Sequence, residues 1–336
     1  MAISESFHKM PWSGKLATCL VCLQALAIIC LETSILVIVL QEVDNNVFSR
    51  WSTDKGVAIY FMLLIIAQAF SMFLVIGGVL SGDTIQIIGF CFFNVFVMTL
   101  AIFQYFQVRA WLQSNYYFDI YGRIHPMMLG SVGVLAGVSV AFAVLAYFVY
   151  HAYGWEIFKR VGADMKIRRM YVAYRLLVLL LKIDFFAFSG FAVTYIILIL
   201  KSSDAEFGIT IALFPLTLLV LVLAFWGLRR ESAVTMWVFI FCLCGSTAYF
   251  VFKCARMYDP KQEAKYQKQR PMMTYFTIIS LFVVAATLFQ SVVCLANFGY
   301  GLKERIEMTR GKRSDMEQIQ DYYVNAAGNR RMPLEG

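Results

Sequence analysis

The sequence has few of the residues from which enzymes build polar active sites. Its 336 residues include three histidines and six prolines, and charged residues make up 15% of the chain. His8, His125 and His151 are far apart and lie at or outside the ends of apolar stretches, so we expect no metal site. The sequence contains no nucleotide-binding motif, no paired aspartates within an apolar stretch and no nucleophile placed beside a base. We therefore expect a protein that is not an enzyme and has no cofactor.

Cysteines are absent from the polar loops, which excludes a lumenal domain held together by disulfides. Cys19 and Cys22 have the spacing of a redox motif, but they fall within an apolar helical stretch rather than at a strand-to-helix turn. Buried small apolar residues are the interpretation we favour for all of them. The eight cysteines are Cys19, Cys22, Cys30, Cys91, Cys242, Cys244, Cys254 and Cys294.

Apolar residues dominate the chain, at 60% of the sequence, and they are concentrated in eight long stretches. A hydrocarbon core about 30 Å thick needs about 20 helical residues, and each stretch reaches that length. The predicted fold is all-α, a polytopic transmembrane bundle of about eight spans, although seven remain possible. A cytosolic segment 1–15 precedes a transmembrane domain 16–300, and a basic tail 301–336, expected to be disordered, follows it. The predicted spans are 16–41, 57–80, 84–108, 127–152, 172–201, 207–228, 232–254 and 272–298.

The distribution of basic residues predicts the orientation. The first apolar stretch is too long for a cleavable signal sequence and is expected to be retained. With eight spans, both termini share a side with the segments 153–171 and 229–231, and this side has more Lys and Arg than the other. The positive-inside rule then places both termini in the cytosol.

Basic residues beside the predicted spans indicate contact with membrane lipids rather than with nucleic acid. Between spans four and five, residues 153–171 have the pattern of a cytosolic amphipathic helix, with Trp155, Phe158, Val161 and Met165 on one face. The residues predicted to contact the lipid interface are Lys159, Arg160, Lys166, Arg168 and Arg169, and in the tail Lys303, Arg305 and Arg310.

Apart from Lys201 and Lys253, at the ends of their spans, four charged residues lie inside predicted spans, where each costs at least about 2.5 kcal/mol unless it finds a partner. They are Glu32, Arg175, Lys182 and Asp184. Arg175 is near a span end and can extend its side chain to the headgroups. At about 1.5 Å per helical residue, Glu32 lies about 25 Å beyond Lys15, and Lys182 lies about 20 Å beyond Arg169. These similar depths predict a buried Glu32–Lys182 ion pair. Asp184 would then face amides, with the candidates Gln24, Gln68, Asn94, Gln104 and Gln290. These residues either fix helix register or line a polar path.

The fourth predicted span has small residues at four-residue spacing, which allow a second helix to approach closely. Gly133 and Gly137 are at its centre, with Gly130 before them. Packing within one subunit and a homodimer contact both fit this pattern.

The stretch from Tyr153 to Phe191 resembles a fungal family of uncharacterised multi-pass membrane proteins of the Golgi apparatus. The resemblance rests on the basic segment beside the membrane, on the Gly162-Ala163-Asp164 turn, and on Lys182 and Asp184 followed by aromatic residues. It covers about a tenth of the chain and implies a Golgi or related endomembrane location, without a known activity.

Three functions fit these observations. The first is a multi-pass endomembrane protein in membrane trafficking or organisation. The second is a transporter or channel with a path near Glu32, Lys182 and Asp184. The third is a sensor or receptor with a lumenal pocket near Trp111 to Tyr121. A water-accessible path would favour transport, whereas dry packing of the charged residues would favour the first.

Overall fold

The described part of the chain folds into eight long α-helices. The computed structural model describes residues 12–44, 56–114, 118–161, 165–198, 205–260 and 270–299, and within these ranges there is no β-strand. The helices are α1 (Trp12–Asp44), α2 (Gly56–Ser81), α3 (Thr84–Ser114), α4 (Phe118–Val161), α5 (Met165–Leu198), α6 (Ala205–Arg230), α7 (Ala233–Met257) and α8 (Arg270–Ala296). The predicted all-α helical bundle is confirmed.

Seven of these helices are long and apolar enough to cross a membrane, counted over the described residues. They correspond to every predicted span except 207–228. That span falls within α6, and the side chains of its first residues, 205–213, lie outside the described part of the chain. The number eight therefore stays a prediction.

Several helices extend beyond the predicted spans. α3 continues to Ser114 and α4 begins at Phe118, so most of the loop predicted between Arg109 and Pro126 is helical instead. The prediction ended each span where polar residues begin. A helix pairs its own backbone N–H and C=O groups, however, and can therefore continue through the headgroup region into water.

A tight turn joins α2 to α3. The Gly82 backbone has φ of +60°, a conformation that glycine adopts without steric cost, and the Asp83 N–H donates to the Gly78 carbonyl at 2.8 Å. Asp83 immediately precedes α3 and is buried. We call the end of the bundle at this turn the hairpin end, and the opposite end the far end.

The helices form two units of four with the same packing order. In the first unit α1 packs on α2 and α4, and α3 packs on the same two helices. In the second, α5 packs on α6 and α8, and α7 packs on the same two. α5 joins the units, mainly through α3 and α2. The outer surface presents large apolar side chains, such as Phe92, Phe241 and Phe282, as expected for a surface in contact with lipid.

The two outermost described helix ends lie at the same end of the bundle. In the first unit Gln24 of α1 meets Asn94 of α3, so α1, like α3, begins at the hairpin end. In the second, Gln290 near the end of α8 meets Ala173 near the start of α5, which also lies at the hairpin end. This arrangement is the one that an even number of crossings requires.

The segment predicted as an amphipathic helix is divided between two long helices. Residues 153–161 end α4 and residues 165–171 begin α5. Arg168 is half-buried, and Lys166 and Arg169 are exposed, whereas the side chains of Lys159 and Arg160 lie outside the described residues. The tail, with Lys303, Arg305 and Arg310, also lies outside them.

Two glycines provide a matched test of the packing between α5 and α8. A Cβ at Gly190 would lie 2.6 Å from the ring of Phe276, which is fully buried, whereas a Cβ at Gly245 meets nothing within 4 Å. We expect Gly190→Ala to lower the unfolding midpoint in detergent, at a cost of about 1–3 kcal/mol from overpacking. Gly245→Ala should leave it unchanged or raise it, since alanine favours the helix. Equal midpoints for the two variants would contradict this packing.

Candidate functional site

The polar residues inside the bundle form separate groups at different depths. Each group links helices that the apolar packing alone would allow to slide.

Glu32 on α1 is buried among the first four helices, with 1% of its surface exposed. Its carboxyl group accepts a hydrogen bond from the side-chain amide of Gln104 on α3, at 2.7 Å from Nε2 to Oε2. Ser131 on α4 lies close to the same carboxyl group, and its hydroxyl donates to the carbonyl of Met127 at 3.3 Å. Glu32 therefore links α1 to α3 beside α4.

The predicted Glu32–Lys182 ion pair is wrong. Lys182 on α5 donates from Nζ to Oε1 of Gln86 on α3, at 2.7 Å, and lies over the ring of Phe73 at 5.5 Å. Gln86 is near the start of α3 and Gln104 near its end, about 27 Å further along at about 1.5 Å per residue. Lys182 and Glu32 are thus near opposite ends of the bundle.

The depth estimate failed because it placed the membrane edge of the fifth span at Arg169. In the structure Arg175, rather than Arg169, lies level with the hairpin turn, because its guanidinium is 3.3 Å from the carboxylate of Asp83. Lys182 is only two turns beyond Arg175. Arg175 also donates to the hydroxyl of Tyr171 at 2.9 Å, so it pairs within the protein rather than only with headgroups.

A network of amides crosses the middle of the first unit. Nε2 of Gln24 on α1 donates to Oε1 of Gln68 on α2 at 3.0 Å and to Oδ1 of Asn94 on α3 at 2.8 Å. Asn94 in turn donates to the hydroxyl of Ser139 on α4 at 2.9 Å. All four helices are linked at this level, and the three amides are at most 1% exposed. We call these four residues the amide network.

Asp184 faces the second unit rather than the amide network. Its Oδ2 accepts a hydrogen bond from the hydroxyl of Thr287 on α8, and its side chain is fully buried. Of the five amides proposed as partners, Gln290 is one turn from Thr287 but donates instead to the carbonyl of Ala173. Oδ1 of Asp184 has no hydrogen-bond partner among the described residues.

Lys253 was not among the predicted site residues. It is the second-last residue of the predicted span 232–254, where its charge is expected to belong to the loop that follows, but it is a buried residue of α7. Its Nζ lies 2.7 Å from the hydroxyl of Tyr195 on α5, and 4.3 Å and 5.5 Å from the ring centres of Tyr195 and Tyr249. Tyr249 precedes Lys253 by one helical turn, a spacing that indicates a shared face. That spacing was the available signal.

The glycine stripe of α4 faces outward. Gly133 and Gly137 are exposed, and a Cβ at either would meet nothing within 4 Å in the described part of the chain. Packing within the subunit, the first interpretation of this pattern, therefore does not involve these two glycines. The predicted homodimer contact through Gly133 and Gly137 stays a prediction.

The aromatic segment between α3 and α4 joins these two helices at the far end. The hydroxyls of Tyr105 and Tyr121 are 3.3 Å apart, and both rings pack edge-on against His125. Leu112 is fully buried and Trp111 is half-buried. These contacts give the aromatic residues a packing role.

The groups described here are suited to holding helices in register, and none forms a catalytic set. Within the described ranges, no three His, Cys, Asp or Glu side chains come close enough to hold a metal ion. Glu32, Lys182 and Asp184 have different hydrogen-bond partners, and the predicted polar path beside them stays a prediction. The fold and these groups define a polytopic α-helical membrane protein with hydrogen-bonded polar groups in its interior.

The chain is similar to one curated protein whose name states a location. The chain is 37% identical over 183 residues to the UPF0658 Golgi apparatus membrane protein of Schizosaccharomyces pombe. The match covers 54% of this chain and 52% of that protein, so the chain spans about half the length of the curated relative it matches. The resemblance to fungal Golgi membrane proteins is confirmed, and the chain is an integral membrane protein of the Golgi type. No family model matches the chain, and no solved structure matches it.

Proposed function

We propose that this protein acts in membrane trafficking or organisation in the Golgi or a related endomembrane, without catalysis of its own. The supporting observation is the packing of the embedded polar residues. Glu32 and Asp184 are at most 1% exposed, and each accepts a hydrogen bond from a neighbouring helix. A transport path needs such groups to face water, whereas a structural role needs them to be packed.

Complementation of a deletion strain tests this proposal. The relative is deleted in S. pombe, and passage of a secreted cargo through the Golgi is measured before and after this chain is expressed in its place. We expect slowed or missorted cargo in the deletion, and rescue by the wild-type chain. Glu32→Gln and Asp184→Asn retain the shape of each side chain, so at equal abundance they should rescue as well.

Two results would overturn the proposal. Normal cargo passage and Golgi morphology in the deletion strain would remove the role in trafficking. Loss of rescue by Asp184→Asn, with abundance and location intact, would favour the transporter alternative instead. The transporter alternative is retained because Oδ1 of Asp184 has no hydrogen-bond partner among the described residues.

Both termini are proposed to lie in the cytosol. The start of α1 and the end of α8 are at the hairpin end, and this end also has Lys15, Lys166, Arg169, Arg229 and Arg230, consistent with the positive-inside rule. In sealed Golgi vesicles, epitope tags at either terminus should be removed by added protease. Protection of either tag would contradict this orientation.

A further inference from the structure

The seam between the two four-helix units contains an excess of positive charge at the hairpin end. Arg175 and Lys182 on α5 lie beside Asp83, which precedes α3, and both are close enough to it for electrostatic interaction. Arg229 at the end of α6 lies close to Tyr174, which precedes Arg175 on α5. We call Asp83, Tyr174, Arg175, Lys182 and Arg229 the hairpin-end cluster. It contains three cations and a single carboxylate, that of Asp83.

The neighbouring charges do not neutralise this excess. Arg230 and Glu231 follow Arg229 and offset each other. Lys166, Arg168 and Arg169, at the start of α5, add further positive charge on the same side of the bundle. A partly buried cation close to hydrocarbon is costly without a counter-charge, so this end of the seam is suited to attracting an anion.

The cluster is held in place by its surroundings. Gln86 donates from Nε2 to the Leu74 carbonyl of α2 at 2.6 Å, which points its Oε1 toward Lys182. It fits because Gly77 and Gly78 have no side chains, and a Cβ at either would come 3.1 Å from a neighbouring side chain. Arg175 is fixed by both Asp83 and Tyr171. These cations are therefore oriented before any ligand arrives.

Access to the cluster is partial, which is appropriate for a ligand that arrives from the headgroup region. Arg229 is exposed, Arg175 retains 21% of its side-chain surface and Lys182 is half-buried. Guanidinium groups bind phosphate oxygens in a bidentate manner, and an ammonium adds a compact point charge. Two arginines, a lysine and a tyrosine hydroxyl make a set of donors suited to a phosphate group.

We propose that the hairpin-end cluster binds a phosphate group, supplied by the headgroup of an anionic lipid, at the seam between the two units. The donors lie on α5 and α6, so the bound phosphate would hold these two helices together beside the hairpin turn. An anion that binds only the folded state raises its stability in proportion to occupancy.

Thermal unfolding of the full-length protein in detergent tests this site. Dioctanoyl phosphatidic acid is titrated, with inorganic phosphate and dioctanoyl phosphatidylcholine in parallel series. We expect phosphatidic acid to raise the unfolding midpoint by about 5 °C near saturation. Phosphatidylcholine should have little effect because its headgroup is zwitterionic. An inorganic phosphate series that matches phosphatidic acid and depends on the same residues would identify a soluble phosphate as the ligand.

Charge-removing variants locate the effect. Arg229→Gln and Lys182→Met should each weaken the apparent affinity for phosphatidic acid about fivefold, as expected for loss of one basic contact near the surface. Arg109→Gln is the matched control, because Arg109 is an exposed arginine at the far end.

Two outcomes would overturn the proposal. One is that neither phosphatidic acid nor inorganic phosphate shifts the unfolding midpoint. The other is equal loss of affinity in Arg229→Gln and Arg109→Gln, which would show a diffuse attraction between a basic protein and an anionic amphiphile.

Discussion

Asp83→Asn and Arg175→Met are each expected to lower the free energy of unfolding by about 3 kcal/mol. Each substitution leaves the partner charge without its counter-ion, and Asp83 is 5% exposed. The double variant should lose less than the sum of the two, because neither charge is then left alone at the seam. The coupling between the two changes is expected to be about 1–3 kcal/mol.

Chemical unfolding of the four proteins in detergent measures this cycle. Arg109→Met is the control for loss of an exposed arginine and should change stability by no more than about 0.5 kcal/mol. Strict additivity of the two single changes would show that the ion pair contributes nothing to holding α5 against the hairpin. Asp83→Asn also removes the only carboxylate of the hairpin-end cluster, so its affinity for phosphatidic acid should rise.

The existence of the helices could be predicted from the sequence because hydrocarbon leaves the chain few alternatives. A backbone without water must satisfy its own N–H and C=O groups, and a run of about 20 apolar residues does this as a helix. The Ser81–Asp83 turn could be predicted equally well, because the three residues between the predicted spans 57–80 and 84–108 can connect only antiparallel neighbours. Helix ends were less accurate, as at Ser114 and Phe118, because composition marks the edge of the hydrocarbon rather than the end of a helix.

Partners across helices could not be predicted from the sequence. Glu32 and Lys182 were paired by counting residues from assumed membrane edges, and a shift of a few residues moves a side chain by several ångströms. The packing order into two units also left no visible repeat in the sequence. Lipid-facing and buried apolar residues are chemically alike, so periodicity says little about which face of a span meets a neighbour.

The polar residues were correctly selected even where their partners were not. Gln24, Gln68, Asn94 and Gln104 were singled out as embedded amides, and all four form hydrogen bonds between helices. The selection worked because a polar group in hydrocarbon must form a hydrogen bond or an ion pair with another polar group. Lys253 was not selected because it is the second-last residue of the predicted span 232–254, and its charge was expected to belong to the loop that follows.

Thr287→Val is expected to destabilise the protein by about 2–3 kcal/mol, although the two side chains have nearly the same shape. The substitution removes the hydroxyl that donates to Asp184, and neither oxygen of this buried carboxyl group would then have a hydrogen-bond partner among the described residues. Ser280→Ala is the matched control on the same helix. The Ser280 hydroxyl is buried and has no hydrogen-bond partner within the described ranges, so its loss should have little effect.

Adding Asp184→Leu to Thr287→Val should restore most of the lost stability. Replacing both members of a buried hydrogen bond by apolar groups of similar size is often close to neutral, whereas removing the donor alone leaves a polar group without a partner. If the double variant is as unstable as Thr287→Val alone, Asp184 has other essential contacts. Cargo passage in the deletion strain then separates stability from function. A stable double variant that rescues passage assigns Asp184 a structural role, and a stable one that fails assigns it a role in contact with a substrate.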